Sequence, residues 1–132
     1  MKWESKGKKK TYSIRRLVNS FKYAVSGIIN AYKTEQNLLV HTIIAVIVIV
    51  VGILLKLSTT EFAIVALVIG FVIVSEMFNT SIEYTVDMAM PSKHPLAKIA
   101  KDVASGACLL SAITSVAVGL LIYLPKIIDV LS

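Results

Sequence analysis

Residues 62–87 read Phe62-Ala-Ile-Val-Ala-Leu-Val-Ile-Gly-Phe-Val-Ile-Val-Ser75, then Glu76-Met-Phe-Asn79-Thr-Ser-Ile-Glu83-Tyr-Thr-Val-Asp87. The first fourteen residues carry no charge, but a helix needs about twenty apolar residues to cross a bilayer. The apolar pattern continues through Met77, Phe78, Ile82 and Val86, with acids set into it. A helix that starts near Thr60 therefore reaches the far interface near Asn79 or Thr80. Glu76 then lies just inside the hydrocarbon and Glu83 just beyond it.

Two further runs flank this one. Leu38 to Leu55 is interrupted only by His41, Thr42 and Gly52, and it spans about 27 Å as a helix. Val103 to Leu124 carries no charge for twenty-two residues and is closed by Pro125 and Lys126. Hydrophobic residues make up 56% of the 132 and charged residues 17%, with a mean hydropathy of +0.78. A water-soluble domain of this length could not hide so much apolar surface. Disorder, collagen and coiled coil are excluded, and an integral membrane protein is expected. Cys108, the single cysteine, has no internal disulfide partner; in its apolar run it reads as an inert thiol.

Ahead of the first run, Ile14, Leu17, Val18, Phe21, Val25, Ile28, Ile29 and Tyr32 recur at i, i+3, i+4, i+7, with Arg15, Arg16, Asn19, Lys22, Ser26 and Asn30 on the opposite side. Such a basic amphipathic helix lies in the membrane interface. The chain is thus expected to be one all-α membrane domain over 1–132. It comprises a basic tail (1–11), an interfacial helix (12–33) and three transmembrane helices (35–57, 60–89 and 96–124). Residues 1–33 carry nine Lys and Arg and residues 87–102 three, against Lys56 and Lys126 in the other connections. By the positive-inside rule the N-terminus and the 87–102 connection face the cytoplasm. The same distribution accounts for the net charge of +6 without a nucleic-acid partner.

Glu76, Asn79, Glu83 and Asp87 stand at i, i+3, i+7 and i+11, on one helical face. Carboxylates near hydrocarbon are costly and are commonly paired, turned inward and functional. A structural reading, polar contact between helices, would be served at less cost by Asn, Ser or Thr. Lys98, Lys101 and Asp102 open the third span after Pro91-Ser-Lys-His-Pro95, and Glu35 precedes the first. On the inferred topology all three groups share one membrane face. Carboxylate oxygens suit Mg²⁺ and neighbouring cations suit a nucleotide's phosphates, which together suit phosphoryl transfer.

The stretch from Glu76 to Asp87, followed by His94-Pro-Leu-Ala-Lys-Ile-Ala-Lys-Asp102 and Ala104-Ser-Gly-Ala107, closely resembles the small prokaryotic membrane diacylglycerol kinases and undecaprenol kinases. The order of an amphipathic helix and three spans matches as well, over about residues 12–125. The Thr34-to-His41 segment and the Thr80-containing signature look more like the Gram-positive undecaprenol kinases. The chain departs from the family pattern at Phe78, where a smaller aliphatic residue is commoner, and at Gln36 and Leu39, near which an arginine is common.

The resemblance implies a homotrimer in the bacterial plasma membrane, with cytoplasmic active sites shared between subunits. Its activity would be transfer of the γ-phosphoryl group of ATP, with Mg²⁺, to a lipid alcohol, undecaprenol ahead of diacylglycerol. Glu76 would be the catalytic base and would meet the lipid together with Ser105. Glu35 and Glu83 would hold the metal and its nucleotide. Arg16, Tyr23, Ser92, Lys93, His94, Lys101 and Asp102 would complete the ATP site, with Asn79 and Asp87 in support. The residues themselves read His94 as a turn group and His41 as a hydrogen-bonded group between helices. A different class, a small cation or proton pathway subunit or a structural membrane subunit, is weakened by the gathering of the acids at one face and the lack of an inverted repeat.

Overall fold

A computed structural model describes residues 13–132. The basic tail expected over 1–11 lies outside the described residues, as does position 12, where the interfacial helix was expected to start. The described residues form four helices, α1 (Ile14–Thr34), α2 (Gln36–Leu54), α3 (Thr59–Ala89) and α4 (Pro95–Leu131). The last three are long and apolar enough to cross a membrane.

Glu35 is the single residue between α1 and α2. Its backbone is extended, and its N–H still donates to Ala31 O at 2.9 Å. One residue therefore ends the interfacial helix and begins the first span. The Tyr32 hydroxyl lies 2.8 Å from Thr42 Oγ1, which also lies 2.8 Å from Leu38 O. Thr42 donates its one proton to that carbonyl, so Tyr32 is the donor that ties α1 to α2.

At the other end of α2, Leu57 N–H donates to Gly52 O and Lys56 N–H to Ile53 O, at 3.0 and 3.1 Å. This is a Schellman closure, with Lys56 in the left-handed region at φ 54° and Leu57 buried behind it. The next helix starts at once. Ser58 accepts from Glu61 N–H while the Glu61 carboxylate accepts from Ser58 N–H, a reciprocal capping box. Two helices are thereby joined through a tight turn with satisfied backbone groups.

Before α4, His94 caps the helix by accepting from Leu96 N–H through Nδ1 at 3.2 Å, and Pro95 takes the first helical position. The third span was expected to end at Leu124, but α4 continues through Pro125 to Leu131. Proline removes one backbone donor, and the helix runs on past it. Ile127, Ile128, Val130 and Leu131 alternate there with Lys126 and Asp129.

α3 packs antiparallel along α4, the largest contact in the bundle, and more narrowly on α2. Val65, Val72, Glu76 and Thr80 form the buried stripe of α3; Ala104, Cys108 and Ser111 form that of α4. Small residues on α4 let the two backbones approach closely. Tyr123 Oη donates to Val48 O at 2.8 Å, and Lys126 pairs with Glu61 at 3.4 Å. These contacts fix one end of the bundle, and the polar groups described next fix the other. Most remaining apolar side chains, such as Ile43, Leu67 and Leu121, point outward, as lipid-facing residues do.

Candidate active site

Glu76 sits on the buried stripe of α3 with 5% of its surface exposed. It lies seventeen residues into α3, about 25 Å along the axis, so a carboxylate stands near one edge of the apolar zone. His41 of α2 faces it, Nε2 to Oε1 3.4 Å. This places the histidine between two helices, within ion-pair range of Glu76. From α4, the Cys108 thiol adjoins the same carboxylate. The Thr80 hydroxyl donates to the Glu76 backbone carbonyl at 3.0 Å and leaves the carboxylate to the others.

One turn further, Asn79 Nδ2 donates to Glu83 Oε1 at 3.2 Å. The other end of that amide, Asn79 Oδ1, is buried with no hydrogen-bond partner among the described residues. An orphaned amide oxygen beside a carboxylate is a hard-oxygen donor pair, the chemistry that Mg²⁺ takes. The residues present therefore fit a magnesium ion. No group of three or more His, Cys, Asp or Glu side chains set to hold a metal occurs among the described residues.

Where α3 turns into α4, a cavity of about 710 Å³ opens between Asp87, Met90, Ser92, Lys93, His94, Lys98, Lys101 and Asp102, among others. Its size lies within the ordinary range for small-molecule sites. Five expected nucleotide residues, Ser92, Lys93, His94, Lys101 and Asp102, thus meet around one space. Lys101 Nζ reaches Asp87 Oδ1 across the two helices at 2.5 Å, and Lys98 pairs with Asp102 along α4. The second pair is legible as i, i+4. The first joins two helices, and no spacing within either one announces it.

The remaining expected residues stand apart from this cavity. Arg16 and Tyr23 are exposed on α1, Ser105 is exposed on α4, and Glu35 is half-buried at the α1–α2 joint. A second cavity of about 380 Å³ lies between α2, α3 and α4, lined almost wholly by aliphatic side chains such as Ile44, Val48 and Val72, with His41 on its lining. Cys108 beside Glu76 is an addition that residue spacing did not assign to the site, whereas Lys98 belongs to the charged group read from the sequence and lines the larger cavity.

A small helical membrane protein with a buried carboxylate at one edge of its apolar zone and a cation-lined cavity beyond it has the makings of an interfacial enzyme. Residues 22–123 match the prokaryotic diacylglycerol kinase family, and the chain belongs to that family of membrane lipid kinases. It is 43% identical to the undecaprenol kinase of Bacillus subtilis over 114 residues, covering 86% of this chain and 93% of that enzyme. It is 41% identical over 116 residues to the diacylglycerol kinase of Synechocystis, covering 87% of this chain and 66% of the relative. It is 33% identical to the diacylglycerol kinase of Pseudomonas aeruginosa over 94 residues, covering 71% and 76%.

Proposed function

We propose that this lipid kinase transfers the γ-phosphoryl group of MgATP to the hydroxyl of undecaprenol at the cytoplasmic edge of the membrane. The observation that carries the reading is the order of groups along α3. Glu76 is buried near the edge of the apolar zone, Asn79 and Glu83 follow, and Asp87 opens onto the cation-lined cavity. From Glu76 to Asp87 is about 16 Å of helix axis, so a nucleotide seated in the cavity can direct its phosphates back toward Glu76. A lipid held in the bilayer presents its hydroxyl at that same depth. The likeness to the Bacillus enzyme over nearly its whole length supports undecaprenol as the alcohol.

Each residue then has a chemical task. Lys101 and Lys93 offer ammonium donors to the phosphates from the lining of the same cavity. Glu83, Asn79 through Oδ1, and Glu35 would hold Mg²⁺, which would supply positive charge to offset that of the phosphates. Glu76 takes the proton from the lipid hydroxyl as its oxygen bonds to the γ-phosphorus and the bond to the ADP oxygen breaks. Burial keeps water, the competing acceptor, away from the carboxylate. The separation of Arg16, Tyr23 and Ser105 from the cavity within one chain fits an active site completed by neighbouring subunits of a homotrimer. The distribution of Lys and Arg supports a cytoplasmic site.

The test is phosphate transfer from radiolabelled ATP by the purified protein in Mg²⁺-containing micelles, with undecaprenol and diacylglycerol compared side by side. Transfer to undecaprenol is expected to dominate. The reverse ranking would reassign the lipid and keep the chemistry, and a folded preparation inactive on both would remove both alcohols as substrates.

A further inference from the structure

His41 of α2 pairs with Glu76 across the helix boundary, Nε2 to Oε1 3.4 Å. It approaches from the helix opposite to Cys108, and only 6% of the Glu76 side chain is exposed. A carboxylate in such surroundings takes its orientation from protein donors, since water has little access. The candidates differ in strength. The Thr80 hydroxyl is committed to the Glu76 backbone carbonyl, and the Cys108 thiol is a weak donor. The imidazole is the strong potential donor, and its Nε2 stands 3.4 Å from Oε1, so a small ring rotation brings its N–H onto that oxygen. Its ring also lines the aliphatic cavity between the three spanning helices, so one side chain adjoins both the carboxylate and the apolar space beside it.

We infer that His41 is a positioning residue for phosphoryl transfer: its Nε2–H holds the Glu76 carboxylate by Oε1 so that Oε2 faces the incoming lipid hydroxyl. This rests on the reading of Glu76 as the base. A hydrogen bond serving helix packing alone would affect stability and leave turnover per folded enzyme unchanged. A positioning bond acts on the chemical step, and its loss lowers kcat with little change in KM for either substrate.

The experiment compares the full-length wild-type protein with His41→Ala, His41→Leu, His41→Gln and Glu76→Gln in micelles, measuring kcat and both KM values per folded enzyme. Leucine keeps the bulk of the side chain and removes the donor; glutamine places an N–H near the position of Nε2. The expected result for Ala and Leu is a kcat lowered by about 10- to 100-fold with KM values within about twofold, and for Gln a kcat within about threefold of wild type. A kcat for His41→Ala or His41→Leu within about twofold of wild type, a loss that Gln shares equally, or a loss confined to KM would each overturn the inference. If Glu76→Gln is inactive while His41→Leu turns over normally, the inference falls alone. If Glu76→Gln keeps wild-type kcat, the base assignment falls and takes the role of His41 with it.

Discussion

Lys101 of α4 and Asp87 of α3 meet at 2.5 Å between Nζ and Oδ1, on the lining of the 710 Å³ cavity. The Lys101 side chain is 35% exposed and the Asp87 side chain 62%, so the pair is well solvated and adds only about 0–1 kcal/mol to stability. Its value is placement, because Asp87 holds the ammonium over the space where the phosphates would lie.

Lys101→Met should therefore leave the fold intact and weaken ATP binding. Charge-assisted hydrogen bonds are worth about 1.5–3 kcal/mol, which corresponds to about a 10- to 100-fold rise in KM for ATP. Asp87→Asn should change the melting temperature little and raise that KM by a smaller factor. Steady-state kinetics with varied ATP check both, and an unchanged KM in Lys101→Met would remove Lys101 from the nucleotide site.

The metal assignment makes a separate prediction. Glu83→Gln removes a carboxylate from the proposed Mg²⁺ set, and Asn79→Leu removes the orphaned Oδ1 along with the donor to Glu83. Each should move the midpoint of Mg²⁺ activation upward by about tenfold or more, while excess Mg²⁺ restores part of the activity. Coincident titration curves for wild type and Glu83→Gln would refute the assignment.

The sequence and the structure agree best where one helix supplies the whole pattern. The spacing of Glu76, Asn79, Glu83 and Asp87 already puts them on one face, and the structure buries that face by degrees toward Glu76. Lengths and charges likewise give the spans and the break at Glu35. What spacing could not provide is which helix faces which. The contacts of His41 with Glu76, Asp87 with Lys101 and Tyr123 with the Val48 carbonyl depend on the relative rotation of helices, which a stretch of Val, Ile and Leu leaves open. Pro125 and Lys126 close the uncharged run, and the helix itself runs on to Leu131.

One of those rotational contacts is tight enough to test by stability. A Cβ at Gly52 would stand 2.8 Å from Tyr123 Oη, 3.1 Å from the Phe62 ring and 3.3 Å from Leu57. Gly-to-Ala changes in a helix interior otherwise stabilise by up to about 1 kcal/mol. Gly52→Ala should instead destabilise by about 1–3 kcal/mol through overpacking. Tyr123→Phe removes the hydroxyl that meets that Cβ and should recover part of the loss in the double variant, a coupling of about 0.5 kcal/mol or more. Thermal unfolding in micelles reads the cycle, and strict additivity would mean that the hydroxyl is not the obstacle.

Lys56 permits a prediction of opposite sign. It occupies the residue after the C-cap of α2 at φ 54°, a conformation that costs side-chain-bearing residues about 1–2 kcal/mol and glycine almost nothing. The two closing hydrogen bonds to Gly52 and Ile53 run through backbone N–H groups and survive any side chain. Lys56 forms no ion pair among the described residues, whereas the nearby acid Glu61 already has Lys126 and the Ser58 N–H. Lys56→Gly should therefore relieve the strain, with part of the gain offset by the greater freedom of glycine in the unfolded chain. The net expectation is a stabilisation of about 0.5–1 kcal/mol, seen as a higher melting temperature with kcat unchanged, because the site lies at the opposite end of the bundle. A lower melting temperature would show that the lysine side chain contributes a contact stronger than the backbone strain it imposes.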